Sequence, residues 1–232
     1  MAQAAAILDI AAARAEDDGG DTPPPAITLT AMAGELVLVD ARESQRLSWF
    51  GDLCCGLVPL AEGTVRFLGR DWTALPHDFA AAMRGRIGRV FSDGGWIDFL
   101  DVAANILLPQ LHHTRARRAE LHDEATRLAC AFGLPGLPLD RPADLTPRDL
   151  ARAACVRAFL GRPRLVLLES PVSGQHTELT APLLNAVAGA RSRGAAAIWL
   201  TRSDLVWRDH SIAASQRLRL GEHGLAPARR AA

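Results

Sequence analysis

Lysine is absent from all 232 residues, so the 26 basic side chains are all arginine, and tyrosine is absent too. Without a primary amine, no Schiff-base lysine, phosphate-loop lysine or lysine general base can operate, and tyrosine acid–base chemistry is excluded as well. The 26 basic residues are matched by 26 acidic ones, for a formal net charge of zero. That balance leaves no general attraction to nucleic acid or to anionic lipid. No apolar run reaches the roughly 18 residues of a spanning helix, and no basic stretch followed by an apolar core opens the chain. The expectation is therefore a soluble, cytoplasmic protein. The four cysteines (Cys54, Cys55, Cys130 and Cys155) form no CxxC pair and fall in apolar helical patterns, which predicts buried free thiols rather than disulfides or metal ligands. His112, His113 and His122 flank the basic run RARR and read as a solvated loop, so no metal site is expected. The nucleophile-elbow pattern GxSxG is missing around Ser170.

What is present is alternation of strands and helices. Residues 7–13 suggest a short strand, and EDDGGDTPPPA makes 17–26 a loose linker. Strands are predicted at 27–31, 35–40, 63–69 and 86–91, with helices at 45–56 and 77–86. Residues 96–142 read as mostly helical, Leu121, Ala125, Leu128 and Phe132 recurring at helical spacing. Thr146 as N-cap and Pro147 at the first position open a further helix ending at Gly161. The apolar run RPRLVLLES then reads as a buried parallel strand. A helix at 180–192, a strand at 195–201, a short helix at 204–207 and a strand at 216–221 follow, and 222–232 is a short tail. This order implies an α/β fold in one domain over 1–232: a mostly parallel core sheet, an antiparallel β part and an inserted helical subdomain at 96–160.

Four segments, in order, resemble the ATP-binding cassette family, the nucleotide-binding subunits of ABC transporters. GELVLVDARESQRLSWFGDLCCGLVPLAEGTVRFLGRDW resembles the family's strand, P-loop, helix and following strand. RIGRVFSDGGWIDFLDVAANILLP resembles the Q-loop and the permease-facing stretch after it, and loosely the bacterial lipid-trafficking branch of Mla and solvent-tolerance type. DLTPRDLARAACVRAFLGRPRLVLLESPVSG resembles the signature helix and the Walker B strand. AAAIWLTRSD resembles the strand before the switch histidine. The resemblance spans about residues 7–221 and implies an ABC-type P-loop NTPase fold.

Apart from one P-loop hydroxyl, the positions to which the resemblance assigns chemistry depart from the family pattern. The P-loop glycine positions hold Ala41, Ser44 and Arg46, and the lysine position holds Leu47. The hydroxyl survives as Ser48, followed by Trp49, and Glu43 adds negative charge where a polyphosphate would lie. Drift from lysine to arginine would have placed arginine at 47, so leucine marks lost function; Arg46 and Ser48 remain as vestigial nucleotide-binding positions. The Q-loop glutamine falls at Ser92. The signature aligns with Leu145, Thr146, Pro147, Arg148 and Asp149, where proline removes an N–H and aspartate puts a carboxylate at the anion-docking helix start. The Walker B pair falls at Glu169 and Ser170, the D-loop aspartate at His176 and the switch histidine at Arg202. Where an adenine-stacking aromatic is expected stand Ala15, Glu16 and Asp17.

The resemblance therefore implies a pseudo-ATPase: a structural or regulatory subunit beneath a membrane permease, paired with a second cassette ATPase subunit, a heterodimer ahead of a homodimer. Such a subunit lies peripherally at the inner face of the membrane. Trp96, Ile97, Phe99 and Leu100 are the candidate permease contacts, in a stretch that keeps Asn105 and Pro109. No cofactor is expected on this reading. Two alternatives stay open: an ATP-binding subunit with weak hydrolysis using Arg46, Ser48 and Glu169 with magnesium, and a free-standing interaction protein of cassette ancestry.

Overall fold

The computed structural model describes residues 6–16, 24–172 and 177–227. Strands β1 (Ala6–Ala15), β2 (Ile27–Met32) and β3 (Leu36–Asp40) lead into helix α1 (Ser44–Cys54). Strand β4 (Leu60–Phe67) and the short β5 (Arg70–Asp71) precede α2 (His77–Arg84). After β6 (Ile87–Val90) come α3 (Val102–His113), α4 (Arg118–Ala131) and α5 (Pro147–Phe159). Then β7 (Leu165–Glu169), α6 (Thr180–Ser192), β8 (Ala196–Thr201), α7 (Asp204–Arg208), β9 (Gln216–Gly221) and β10 (Gly224–Pro227) complete the described chain.

The strands form two sheets. One is antiparallel, in the order β2-β1-β4-β5; the other runs β10-β9-β3-β8-β7-β6 and is parallel except for its β10 edge. Every residue of β3, β7 and β8 is buried, as the unbroken apolar runs LVLVD, LVLLE and AAIWLT require of strands covered on both faces. Their side chains alternate between two cores. Leu36, Leu38, Val166, Leu168, Ala197 and Trp199 join the core beneath α3–α6, whereas Val37, Val39, Leu165, Leu167, Ile198 and Leu200 join the core shared with α1 and the antiparallel sheet. Strand period two thus turns one sequence run into the shared wall of two cores. By contrast β2, on an edge, alternates buried and exposed.

Several boundaries differ from the sequence reading. Strand β1 continues past 13 to Ala15, paired with β4, which itself starts at Leu60 rather than 63. Residues 96–101 are not helical: Gly94 and Gly95 take positive φ (83° and 55°), and the Asn105 carboxamide ties down the backbone of Ile97, Leu100 and Asp101. Asp101 then caps α3 by accepting the Ala104 N–H at 2.5 Å. Between α4 and α5 the chain is irregular but for one 3-10 turn, Pro142–Asp144. The tail prediction fails at 224–227, which pairs antiparallel with Leu218–Gly221 as β10. Cys54, Cys55 and Cys155 are buried, but Cys130 is exposed. Helix phase explains it: Leu121, Ala125 and Ala129 form the buried stripe of α4, and Cys130 stands about 100° further round. Of the proposed linker, 17–23 lie outside the described residues, while Arg14 Nη1 donates to the Pro24 carbonyl at 3.4 Å. His176 and Asp17 also lie outside them. No described helix is long and apolar enough to cross a membrane.

Candidate functional site

The parallel strands β3, β7 and β8 end together, and the residues just beyond them carry the candidate chemistry. Beyond β3 the Ala41 N–H donates to the Thr201 carbonyl at 3.0 Å, and α1 begins with Glu43 at its N-cap. The Glu43 side chain makes no capping bond; its carboxylate accepts from Arg46 Nε at 2.9 Å. Arg46 is thereby committed to a neighbour on its own turn. Leu47 is wholly buried, packed in the core with Val39, Ala41 and Phe50.

One turn on, the structure brings Ser48, Ser92 and Glu169 together. Ser48 Oγ lies 3.1 Å from Ser92 Oγ and donates to Glu169 Oε2 at 3.3 Å, and the Ser92 N–H donates to the same oxygen at 3.1 Å. Glu169, at the end of β7, is 1% exposed, and its other oxygen accepts from Arg89 Nε at 2.5 Å. Arg89 comes from β6 and directs all three guanidinium nitrogens here: Nη1 donates to Asp52 at 2.6 Å and Nη2 to the Ser48 carbonyl at 3.0 Å. Its guanidinium carbon lies 4.4 Å from the Phe91 ring. Burial pushes the Glu169 carboxyl above its ordinary pKa, with the Arg89 charge partly offsetting it. Burial opposes the Arg89 charge, yet the hydrogen bond to Asp52 and the charge of Glu169 hold its pKa above the ordinary value. Gly51 makes the approach possible, because a Cβ there would stand 2.5 Å from Glu169 Oε1 and 2.6 Å from Arg89 Nη2.

Ser170 and Arg202 also meet. Ser170 adopts φ 46°, its N–H donates to the Leu200 carbonyl at 2.8 Å, and its hydroxyl accepts the Arg202 N–H at 3.3 Å. Nearby, the nearly buried Asp40 pairs with Arg42 at 3.1 Å and Arg219 at 3.4 Å, and Arg42 reaches Asp204 at 2.7 Å. The signature-like residues stand apart at the start of α5. Thr146 Oγ1 accepts the Asp149 N–H at 3.1 Å and donates to the Asp149 carboxylate at 2.8 Å, while Arg152 approaches that carboxylate at 3.3 Å. Arg148 pairs with Glu178 at 2.6 Å.

A second feature lies between the parallel sheet and the helical layer: a pocket of about 240 Å³ lined by α1, α2, β6, α3 and α5. Its cations are Arg84, Arg89 and Arg157, with His113 beside them and Leu57 exposed among its lining residues. Arg157 hydrogen-bonds the Gly94 and Gly95 carbonyls and lies over the Phe91 and Trp96 rings. Its Nε is buried without a partner, and burial pushes its pKa down to about 10. None of Trp96, Ile97, Phe99 and Leu100 lines this pocket. Phe99 is 77% exposed, and Trp96 is half-buried against Arg157.

Sequence reasoning passed over Arg89, Asp52, Gly51, Arg84 and Arg157. A signal for Arg89 existed, since a charge inside the strand RIGRVF demands a buried partner. Its partners lie 37 and 80 residues away, where no local pattern shows them.

No family model matches the sequence. The chain is 26% identical over 200 residues, 86% of its length, to the macrolide export ATP-binding/permease protein MacB of Nitrobacter winogradskyi. It is 30% identical over 166 residues, 71% of its length, to the methionine import ATP-binding protein MetN of Rhizobium etli. It spans 30% of the first relative's length and 46% of the second's. Among solved structures, the dimeric structure of a bacterial ABC transporter cassette superposes with a TM-score of 0.78 at 18% identity, covering 94% of this chain and 96% of that one. An ATP-binding subunit of an ABC transporter gives 0.79 at 16% identity, covering 94% and 88%. The chain thus has the fold of the ATP-binding cassettes, and its relatives in sequence are ATP-binding proteins of ABC transporters.

Proposed function

We propose that this chain is a cassette subunit that has given up ATP hydrolysis and serves as a structural or regulatory partner beneath a membrane permease, beside a second, active cassette subunit, on the cytoplasmic side. The observation that carries this is Leu47. The position that the family resemblance assigns to the phosphate-binding lysine holds a wholly buried leucine, part of the core that α1 shares with β3. Burying such a side chain contributes about 1.5–3 kcal/mol to folding. A cation presented to phosphate from that position would have to leave the core, so the local packing favours a fold without the ligand.

The residues present do not fit a magnesium–nucleotide complex. Glu169 is already satisfied by Arg89, Ser48 and Ser92, and Ser170 offers no carboxylate to polarise water. Pro147 lacks an N–H, and the Asp149 carboxylate sits at the helix start that an incoming phosphate would need. The reading of weak hydrolysis through Arg46 is disfavoured by the Arg46–Glu43 pair. The docking face on this reading is the groove holding Arg84 and Arg157. Arg84 and Arg157, bonded to carbonyls and not to carboxylates, and the apolar lining suit a permease helix with apolar contacts and an acidic residue. The test is titration of the purified chain with a non-hydrolysable ATP analogue and magnesium, followed by calorimetry. No binding heat is expected up to millimolar analogue, and saturable magnesium-dependent binding would sink the proposal.

A further inference from the structure

Around the Arg89 guanidinium the chain gathers oxygen atoms from three separate segments. They are the Glu169 carboxylate, the Asp52 carboxylate and the Ser48 carbonyl, each accepting from Arg89, with the Ser48 and Ser92 hydroxyls completing the cluster beside Glu169. Carboxylate, carbonyl and hydroxyl oxygens without nitrogen or sulfur are the donor chemistry of a hard divalent cation such as Mg²⁺ or Mn²⁺. We propose that the Arg89 guanidinium is a tethered cation that fills and closes an oxygen-lined divalent-cation site, leaving this face charge-satisfied without any metal.

Three independent features support this. The guanidinium uses Nε, Nη1 and Nη2 on the cluster and none elsewhere among the described residues. Its side chain is 8% exposed and that of Glu169 is 0% exposed, so water cannot answer the carboxylate and the countercharge must come from the protein or from an ion. Gly51, inside a helix where alanine is intrinsically favoured, leaves the volume that Arg89 and Glu169 occupy. Arginine is suited to the task because it stays charged at any physiological pH and matches a carboxylate in its own plane. Removing Arg89 leaves two carboxylates, one of them buried, without their cation, a donor set with high demand for one.

The inference concerns the same face as the proposed loss of ATP binding, and it is tested with metal alone, so the outcome does not depend on whether a nucleotide binds. The full chain, an Arg89→Ala variant and an Arg89→Ala/Glu169→Gln double variant are titrated with Mn²⁺, free ion being read by electron paramagnetic resonance and Tm by circular dichroism. The unaltered chain is expected to leave Mn²⁺ free and its Tm unmoved. Arg89→Ala is expected to bind one Mn²⁺ and to gain roughly 5 °C in Tm on its addition. The double variant should bind at least about tenfold more weakly than Arg89→Ala. Should Arg89→Ala fail to fold alone, recovery of the fold on refolding with Mn²⁺ supports the proposal. Tight Mn²⁺ binding by the unaltered chain overturns it, as does an Arg89→Ala chain that binds no more Mn²⁺ than the unaltered one. Failure of Arg89→Ala to fold even with Mn²⁺ overturns it too, since the pair would then be a purely structural bridge.

Discussion

The face at the ends of the parallel strands and the groove against the helical layer treat their charges in opposite ways. At the strand ends, cations are answered by carboxylates from within the chain: Arg89 by Glu169 and Asp52, Arg46 by Glu43, Arg42 by Asp40 and Asp204. In the groove, Arg84 and Arg157 bond neutral carbonyls and lie over aromatic rings, and Arg157 keeps a buried Nε with no partner. A buried donor left without an acceptor costs about 1–3 kcal/mol. The named strand-end cations are thus paired with carboxylates of the chain, whereas Arg84 and Arg157 are bonded to carbonyls alone. The two regions meet at the Arg89–Asp52 bridge, which also lines the groove, so the contrast is between charges paired within the chain and the two groove cations that are not.

The comparison is broken most sharply at the groove. Leu57 lines it and is 53% exposed, so a charge there leaves the fold intact while spoiling an apolar contact and offering the groove cations a carboxylate of the chain's own. If the proposed permease docks here, Leu57→Glu is expected to weaken co-purification with it by at least about 30-fold, or about 2 kcal/mol, the scale of an interface hot spot. Undiminished co-purification of a folded Leu57→Glu chain would move the docking surface elsewhere.

At the strand ends the next largest effect is expected from a single methyl group. Glycine to alanine inside a helix ordinarily stabilises by about 1 kcal/mol. At Gly51 the new Cβ would press on Glu169 and Arg89 at 2.5 and 2.6 Å, both side chains held by several hydrogen bonds. Gly51→Ala should therefore destabilise by about 1–3 kcal/mol. Gly189 in α6 is the control, since its Cβ would meet only the Arg193 guanidinium at 3.4 Å, and Gly189→Ala should stabilise. Urea midpoints that move the same way in both variants would show the Arg89–Glu169 bridge to be loosely held.

Much of the architecture was legible because it rests on local pattern. The runs LVLVD, LVLLE and AAIWLT read as strands and form them, buried on both faces, and Thr146-Pro147 reads as a helix start and opens α5. What escaped was set by phase or by distance. Cys130 differs from Ala129 only in its angle round α4, and the 96–101 turn depends on one carboxamide, Asn105, that reaches back to the backbone before its helix. The family resemblance assigns the lysine position to Leu47, but no pattern in the sequence shows that Arg89, from another strand, supplies a charge to Glu169 from 80 residues away. A motif is read along the chain; the partners of its buried charges lie where the fold brings them.

The smallest expected effect separates the two helix starts to which the family resemblance assigns phosphate. At α5 the Thr146 hydroxyl accepts the Asp149 N–H, so Thr146→Ala should cost about 1 kcal/mol in a urea titration. At α1 the Glu43 side chain caps nothing and makes only a solvent-exposed bridge to Arg46, so Glu43→Ala should change stability by less than about 0.5 kcal/mol. Equal losses would mean that both helices are capped by their own side chains. The expected inequality means that α5 is capped by its own Thr146 side chain, while α1 is secured further along, by buried Leu47 and by the Arg89 bonds to the Ser48 carbonyl and Asp52.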